Sequence, residues 1–317
     1  MPEAVLGKAD CFVGRIPISM RKLKDLAHFL LYSLGAKYRT PAGCERIYFH
    51  HIPKTAGTAL TNMFLEAAAR RKAHVDCRVL RVVGDGGQHK SNGQLRICSP
   101  AWVVRRLPAT RSEDGMTLLD DVWGGHRHRV AVNGLVFQTG DKSYIEAGKY
   151  FYAWSHIPAH DLRLPDNTLK ITILRNPLSR VLSHYRMLLD AKAAGNWKVL
   201  DQSDQLLGGS FGEFLSRVPP ERLMQQIHHF SPTFDPEEAY ERVRECHCCL
   251  LTEGLAASLQ SLSGLVGLEL VPLWANRSSA RPFIRPKDIG KLREMIDPCV
   301  RLYNKVAKDQ DSRLAVR

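Results

Sequence analysis

Apolar residues fall along this chain in two rhythms. Short, nearly unbroken runs rich in β-branched and aromatic residues predict strands from Arg46 to Ile52, Cys77 to Val83, Lys149 to Trp154, Leu169 to Leu174 and Cys248 to Thr252. Elsewhere apolar residues recur at helical spacing, predicting helices from Thr58 to Arg71, Pro177 to Ala194, Phe211 to Val218, Glu221 to His228 and Gly254 to Val266, with a basic C-terminal pair broken by Pro298. Strands separated by helices imply right-handed crossovers, a parallel sheet with helices on its faces, and ligand sites beyond the strand C-terminal ends. The expected class is α/β. The stretch from Gly84 to Gly148 mixes glycine, charge and short apolar runs and yields no legible order.

At 317 residues, with no linker rich in Pro, Gly or Ser, the chain reads as one domain over 45–310 behind a helical N-terminal extension over 1–44, with an insertion near 84–148. Its 45 Lys and Arg outnumber 32 Asp and Glu, a formal charge of +13 that favours polyanionic partners. Nucleic acid is disfavoured among these, because no zinc-finger spacing, RNA-binding signature or basic tract beyond Arg70-Arg71-Lys72 occurs. Eight cysteines are too few for a disulfide scaffold, and Cys246-His247-Cys248-Cys249 lacks a second ligand pair, so buried thiols and no metal are expected. No leader pattern precedes the core. The run Leu26 to Ala36 is about half the length of a membrane span and reads as an amphipathic helix, with Arg21, Lys22 and Lys24 compatible with contact to an anionic lipid surface.

The chemistry concentrates at two junctions. In Arg46 to Leu60 an apolar run enters Pro53-Lys54-Thr55-Ala56-Gly57-Thr58, where a Lys, a Gly with small neighbours and Thr58 at the expected helix N-cap aim an ammonium and several backbone N–H groups at one point. In Lys170 to Tyr185 a second apolar run enters Leu174-Arg175-Asn176-Pro177, with Pro177 at a first helical position and Arg180 and Ser183 in the first turns. Two such turns predict a ligand with two phosphate-like ends.

These motifs together resemble those of the sulfotransferases that use 3′-phosphoadenosine 5′-phosphosulfate (PAPS), above all the carbohydrate-acting branch that includes the heparan sulfate 2-O- and 6-O-sulfotransferases. The resemblance spans about residue 46 to 305 and includes Ser183 eight positions after Arg175. It implies a three-layer, P-loop-like fold with a central parallel sheet flanked by helices. It also implies that Lys54, Thr55, Ala56, Gly57 and Thr58 hold the 5′-phosphosulfate and that Arg175 and Ser183 hold the 3′-phosphate. The stretch Leu250-Leu-Thr-Glu253, with Val271-Pro272 and Asn276-Arg277-Ser278-Ser279, resembles the family's later strand and its cofactor-closing loop, which would bring Arg277 and Ser278 over the donor. Animal Golgi members carry a membrane anchor; with none evident, the expectation is a soluble, cytoplasmic, bacterial enzyme that needs no metal.

Transfer of a sulfuryl group to a sugar hydroxyl requires charge stabilisation, the role open to Lys54, and a base near neutrality. Among 13 histidines, His156 is the first candidate, because Ser155-His156-Ile-Pro158 resembles the family's Gly-His-x-Pro segment, with Ser155 in the place of Gly. His126, in Trp123-Gly-Gly-His126-Arg127-His128, is the second, and a Glu or no protein base remains open. His50 and His51 read as satisfied core or supporting groups, and His228-His229 as surface residues. Arg127 and Arg129 could meet an acidic acceptor or simply face solvent, and Trp102 and Trp123 could stack on adenine or sugar or fill core. Two other classes compete. A nucleotide kinase would share the strand, loop, helix and Lys, but Gly-x-x-x-x-Gly-Lys-Ser/Thr and a Walker-B acid are absent; a polyanion-binding module without catalysis would keep the same cations. Magnesium dependence separates the kinase from the transferase.

Overall fold

The computed structural model describes residues 39–70, 77–83, 94–100, 129–132, 135–139, 142–148, 150–195, 205–273 and 280–315. The elements run β1 (Arg46–His50), α1 (Gly57–Arg70), β2 (Cys77–Val83), β3 (Gln94–Pro100), β4 (Arg129–Val132), β5 (Leu135–Thr139), α2 (Lys142–Glu146), β6 (Tyr152–Ser155), β7 (Thr168–Leu174) and α3 (Pro177–Ala193). They continue with α4 (Phe211–Arg217), α5 (Pro220–Leu223), α6 (Gln225–His228), α7 (Pro236–Arg244), β8 (Cys248–Leu251), α8 (Leu255–Val266), α9 (Pro286–Met295) and α10 (Asp297–Ala315).

The main sheet has the order β4-β5-β6-β1-β7-β8. Every neighbouring pair from β5 to β8 is parallel, and β4 adds an antiparallel edge. The class is therefore α/β. Ile47, Tyr48 and Phe49 of β1 are each 0% exposed, so the strand is covered on both faces, as a continuous apolar run requires. On one side, α1 buries Ala59, Leu60, Met63, Phe64, Ala67 and Ala68, and α8 buries Leu255, Leu259, Leu262 and Val266. Spacings of three and four keep these on one stripe. On the other side, α3 to α7 with α9 and α10 enclose a second core around Leu174, Phe214, Phe230 and Leu302. The order places the C-terminal ends of β6, β1 and β7 side by side, with Ile47 opposite both Tyr152 and Leu169.

Several expectations change. Cys77 to Val83 forms a strand, but it pairs antiparallel with β3 in a separate two-stranded sheet instead of joining the parallel one. The helix expected from Glu221 to His228 is two short helices, because Met224 leaves helical geometry at φ −99, ψ 34. The C-terminal pair breaks at Ile296, and Pro298 sits in the first turn of α10, where its missing N–H costs nothing. β4 and β5, in the stretch with no legible order, extend the main sheet. The N-terminal helix expected around Leu26 to Ala36 lies outside the described residues. Among the described residues no helix is long and apolar enough to cross a membrane, and no group of three or more His, Cys, Asp or Glu is placed to hold a metal ion.

Candidate active site

The first turn is built from unusual backbone. After β1 the chain buries His51 and Ile52, and the Thr55 hydroxyl donates to the Ile52 carbonyl at 2.8 Å. Lys54 and Ala56 then adopt left-handed conformations, φ 71 and φ 70, which residues with a Cβ take up at a cost of about 1 kcal/mol or more each. Such alternation curls successive N–H groups toward one side, and the opening N–H groups of α1, which starts directly after, have no carbonyl above them. Thr58 is not the N-cap: α1 begins at Gly57, and Thr58 is an exposed residue of its first turn. Gly57 is needed for space. A Cβ there would lie 2.0 Å from Cδ2 of the His51 ring, so only glycine lets the loop rest on that imidazole.

The second turn is built from side chains. The Arg175 N–H donates to Gln226 Oε1 at 2.7 Å and Gln226 Nε2 returns a bond to the Arg175 carbonyl at 2.9 Å, so one buried amide holds both backbone groups. The Asn176 N–H donates to Glu253 Oε1 at 2.9 Å, and Tyr303 donates to Glu253 Oε2 at 3.0 Å. Asn176 caps α3 by accepting from the Ser179 N–H at 3.1 Å, with Pro177 at N1.

The two turns meet. Arg175 Nη1 donates to the Lys54 carbonyl at 3.1 Å, and the Thr252 hydroxyl lies 3.1 Å from both the Thr55 and Leu174 carbonyls. Burial and the nearby Arg175 and Arg180 lower the Lys54 pKa, opposed by Asp190. Burial likewise lowers that of Arg175, with Glu253 opposing and Arg186 adding. Arg180 is 1% exposed; its Nη2 donates to the Arg222 carbonyl at 2.9 Å and the Leu223 carbonyl at 2.5 Å, while Nη1 is buried with no partner among the described residues. Burial pushes it down to about 10. His184 is held neutral, at about 3, by burial and by Arg180, Lys54 and Arg222. Ser183 is half-buried on α3.

His156 follows β6 beside this cleft and is exposed. Its Nδ1 lies 2.6 Å from the His51 carbonyl, which assigns the proton to Nδ1 and leaves Nε2 as the acceptor. Ser155 fixes the turn: its Oγ sits 2.6 Å from the Tyr48 hydroxyl and accepts from the Ile157 N–H at 3.1 Å. The His51 ring contacts the His156 ring at 4.6 Å between centroids and stacks on Phe49 at 5.2 Å, so one imidazole underlies both Gly57 and the base candidate. Burial holds His50 and His51 at about 3. His229, expected at the surface, is 2% exposed, with Nε2 3.3 Å from His50 Nδ1; its contacts with β1 take it inside, while His228 is half-buried.

The structure therefore brings together Lys54, Thr55, Ala56, Gly57, Arg175 and His156. His126, Arg277, Ser278, Ser279, Trp102, Trp123 and Arg127 lie outside the described residues, and Arg129 begins the edge strand β4. Gln226 escapes any reading of the sequence, since nothing local marks a glutamine that reaches a turn 51 positions earlier. No protein-family model matches the chain, and no curated protein is significantly similar to it.

Proposed function

We propose that this protein transfers a sulfuryl group from PAPS to a hydroxyl of a carbohydrate acceptor, on a three-layer, P-loop-like scaffold. The observation that carries the reading is the bond from Arg175 to the Lys54 carbonyl at 3.1 Å, which joins two anion-facing turns into one cleft. The cleft fits a ligand with two oxyanion ends: curled amides and an ammonium on one side, and a guanidinium with free donors on the other. Arg180 and Arg186 add positive charge, and one nitrogen of each, Arg180 Nη1 and Arg186 Nε, is buried without a hydrogen-bond partner among the described residues.

In this reading Lys54 and the amides from Thr55 to Thr58 hold the phosphosulfate, and Arg175 with Ser183 holds the 3′-phosphate. The donor supplies a sulfuryl group whose S–O bond to phosphate breaks as the acceptor oxygen bonds to sulfur. Lys54 stabilises the charge that develops on the leaving phosphate. His156 accepts the hydroxyl proton at Nε2, its ring oriented by the His51 carbonyl. None of these roles calls on a metal, and nucleic acid is not among the expected partners.

The test is a thermal-shift titration with 3′,5′-adenosine bisphosphate (PAP) beside AMP, ADP and ATP, with and without magnesium. Selective stabilisation by PAP in chelator supports the reading. A magnesium-dependent response to ATP alone would replace it with a nucleotide kinase.

A further inference from the structure

α3 runs from the Arg175 turn with Ser183 and Arg186 three positions apart, so both project from one face of the helix. Arg186 is half-buried, and its Nε is sealed from solvent without a hydrogen-bond partner among the described residues. A guanidinium in this state leaves a desolvated donor unused. It stands close enough to Arg175 for the two cations to repel. One carboxylate at this turn, Glu253, already accepts from the Asn176 N–H and the Tyr303 hydroxyl. Two repelling, partly buried guanidinia, Arg175 in the turn and Arg186 on α3 one helical turn after Ser183, describe a site for an anion of more than one charge.

We propose that Arg186 is a second guanidinium on the anion that Arg175 and Ser183 hold, so that this end of the ligand is a dianion with several acceptor oxygens, a phosphate monoester, and not a diester or a carboxylate. The inference rests on the sulfuryl-transfer reading only for the name of that ligand. Arg186 thereby sets the preference for a nucleotide bearing a terminal phosphate away from the transferred group.

The experiment measures affinities of the full chain for PAP, AMP and inorganic pyrophosphate in wild type, Arg186→Ala and Arg186→Lys. Arg186→Ala is expected to weaken PAP by about tenfold to a hundredfold, as for loss of a charged hydrogen bond. AMP, which lacks the 3′-phosphate, is expected to change by less than about twofold, and Arg186→Lys to fall between, keeping the charge but not the fork. Unchanged PAP affinity, or equal losses for PAP and AMP, would overturn the proposal. If wild type ignores PAP, the sulfuryl-transfer reading fails and pyrophosphate decides the site: a loss of about tenfold or more in Arg186→Ala upholds it, whereas no binding, or binding unchanged by the substitution, sinks it. Circular dichroism of each variant separates lost affinity from lost fold, and Arg186→Lys carries the comparison if Arg186→Ala does not fold.

Discussion

The two turns of the cleft follow the same sequence of strand, turn and helix, yet they are held in opposite ways. The Lys54 turn takes its shape from strained backbone laid on an imidazole: φ is positive at Lys54 and Ala56, and Gly57 rests on His51. The Arg175 turn has ordinary backbone, fixed from outside by Gln226, Glu253 and its own Asn176 cap. The first arrangement presents N–H groups, which only a particular chain path can aim; the second presents side chains, which need only a rigid base. In the proposed function, the strained backbone is the part that holds the anion.

The largest effect should separate chemistry from stability at the first turn. Lys54→Ala is expected to lower turnover of a sulfuryl acceptor by about a hundredfold to a thousandfold, while the melting temperature moves little, because alanine inherits the same left-handed φ. Comparable losses of rate and stability would make Lys54 structural. Next, Gly57→Ala should destabilise by about 1–3 kcal/mol through overpacking against His51, read from the denaturant midpoint. Combining it with His51→Ala should cost less than the sum of the two single changes; strict additivity would mean that the ring is not what excludes the Cβ.

Acid should weaken the first turn's support more than the second's. The folded pKa of His51, like those of His50 and His184, is depressed to about 3, so the unfolded chain takes up protons first. Their contribution is complete above the unfolded value of about 6.5 and is lost as pH falls from there toward about 3, at up to about 1.4 kcal/mol per pH unit for each. Unfolding free energies at pH 7.5, 6, 5 and 4.5 should show this slope, reduced by one proton's share in His51→Gln and unaltered in Arg175→Lys, a substitution in the second turn. The smallest effects differ in sign: Asn176→Ala should cost about 1 kcal/mol as a lost cap, whereas Ala56→Gly should gain about 0.5–1 kcal/mol by relieving the left-handed residue. A gain at neither and a loss at both would dissolve the contrast.

Both turns were legible because their information is local: an apolar run, then Lys54 and Gly57, or Arg175 and Pro177. The central strands were legible for the same reason, since β1 and β7 are buried on both faces and read as unbroken apolar runs. What failed was pairing over distance. Cys77 to Val83 reads as a strand whatever its partner, and nothing in it distinguishes an antiparallel neighbour from a place in the parallel sheet. His229 looked like surface because its partner His50 lies 179 positions earlier. The role of Gln226 is hidden likewise, and Thr58 is not the cap because α1 begins two residues sooner, directly after left-handed Ala56.

Arg180 has a practical consequence. A guanidinium that is 1% exposed, bonded through Nη2 to two carbonyls and with Nη1 unpartnered among the described residues, stands close enough to Lys54 and Arg175 for the cations to repel. If the cleft holds oxyanions as proposed, phosphate or sulfate from a purification buffer would occupy it and raise the melting temperature by mass action. Protein prepared in phosphate and protein prepared free of oxyanions would then be two different starting materials, with different melting curves before any nucleotide is added.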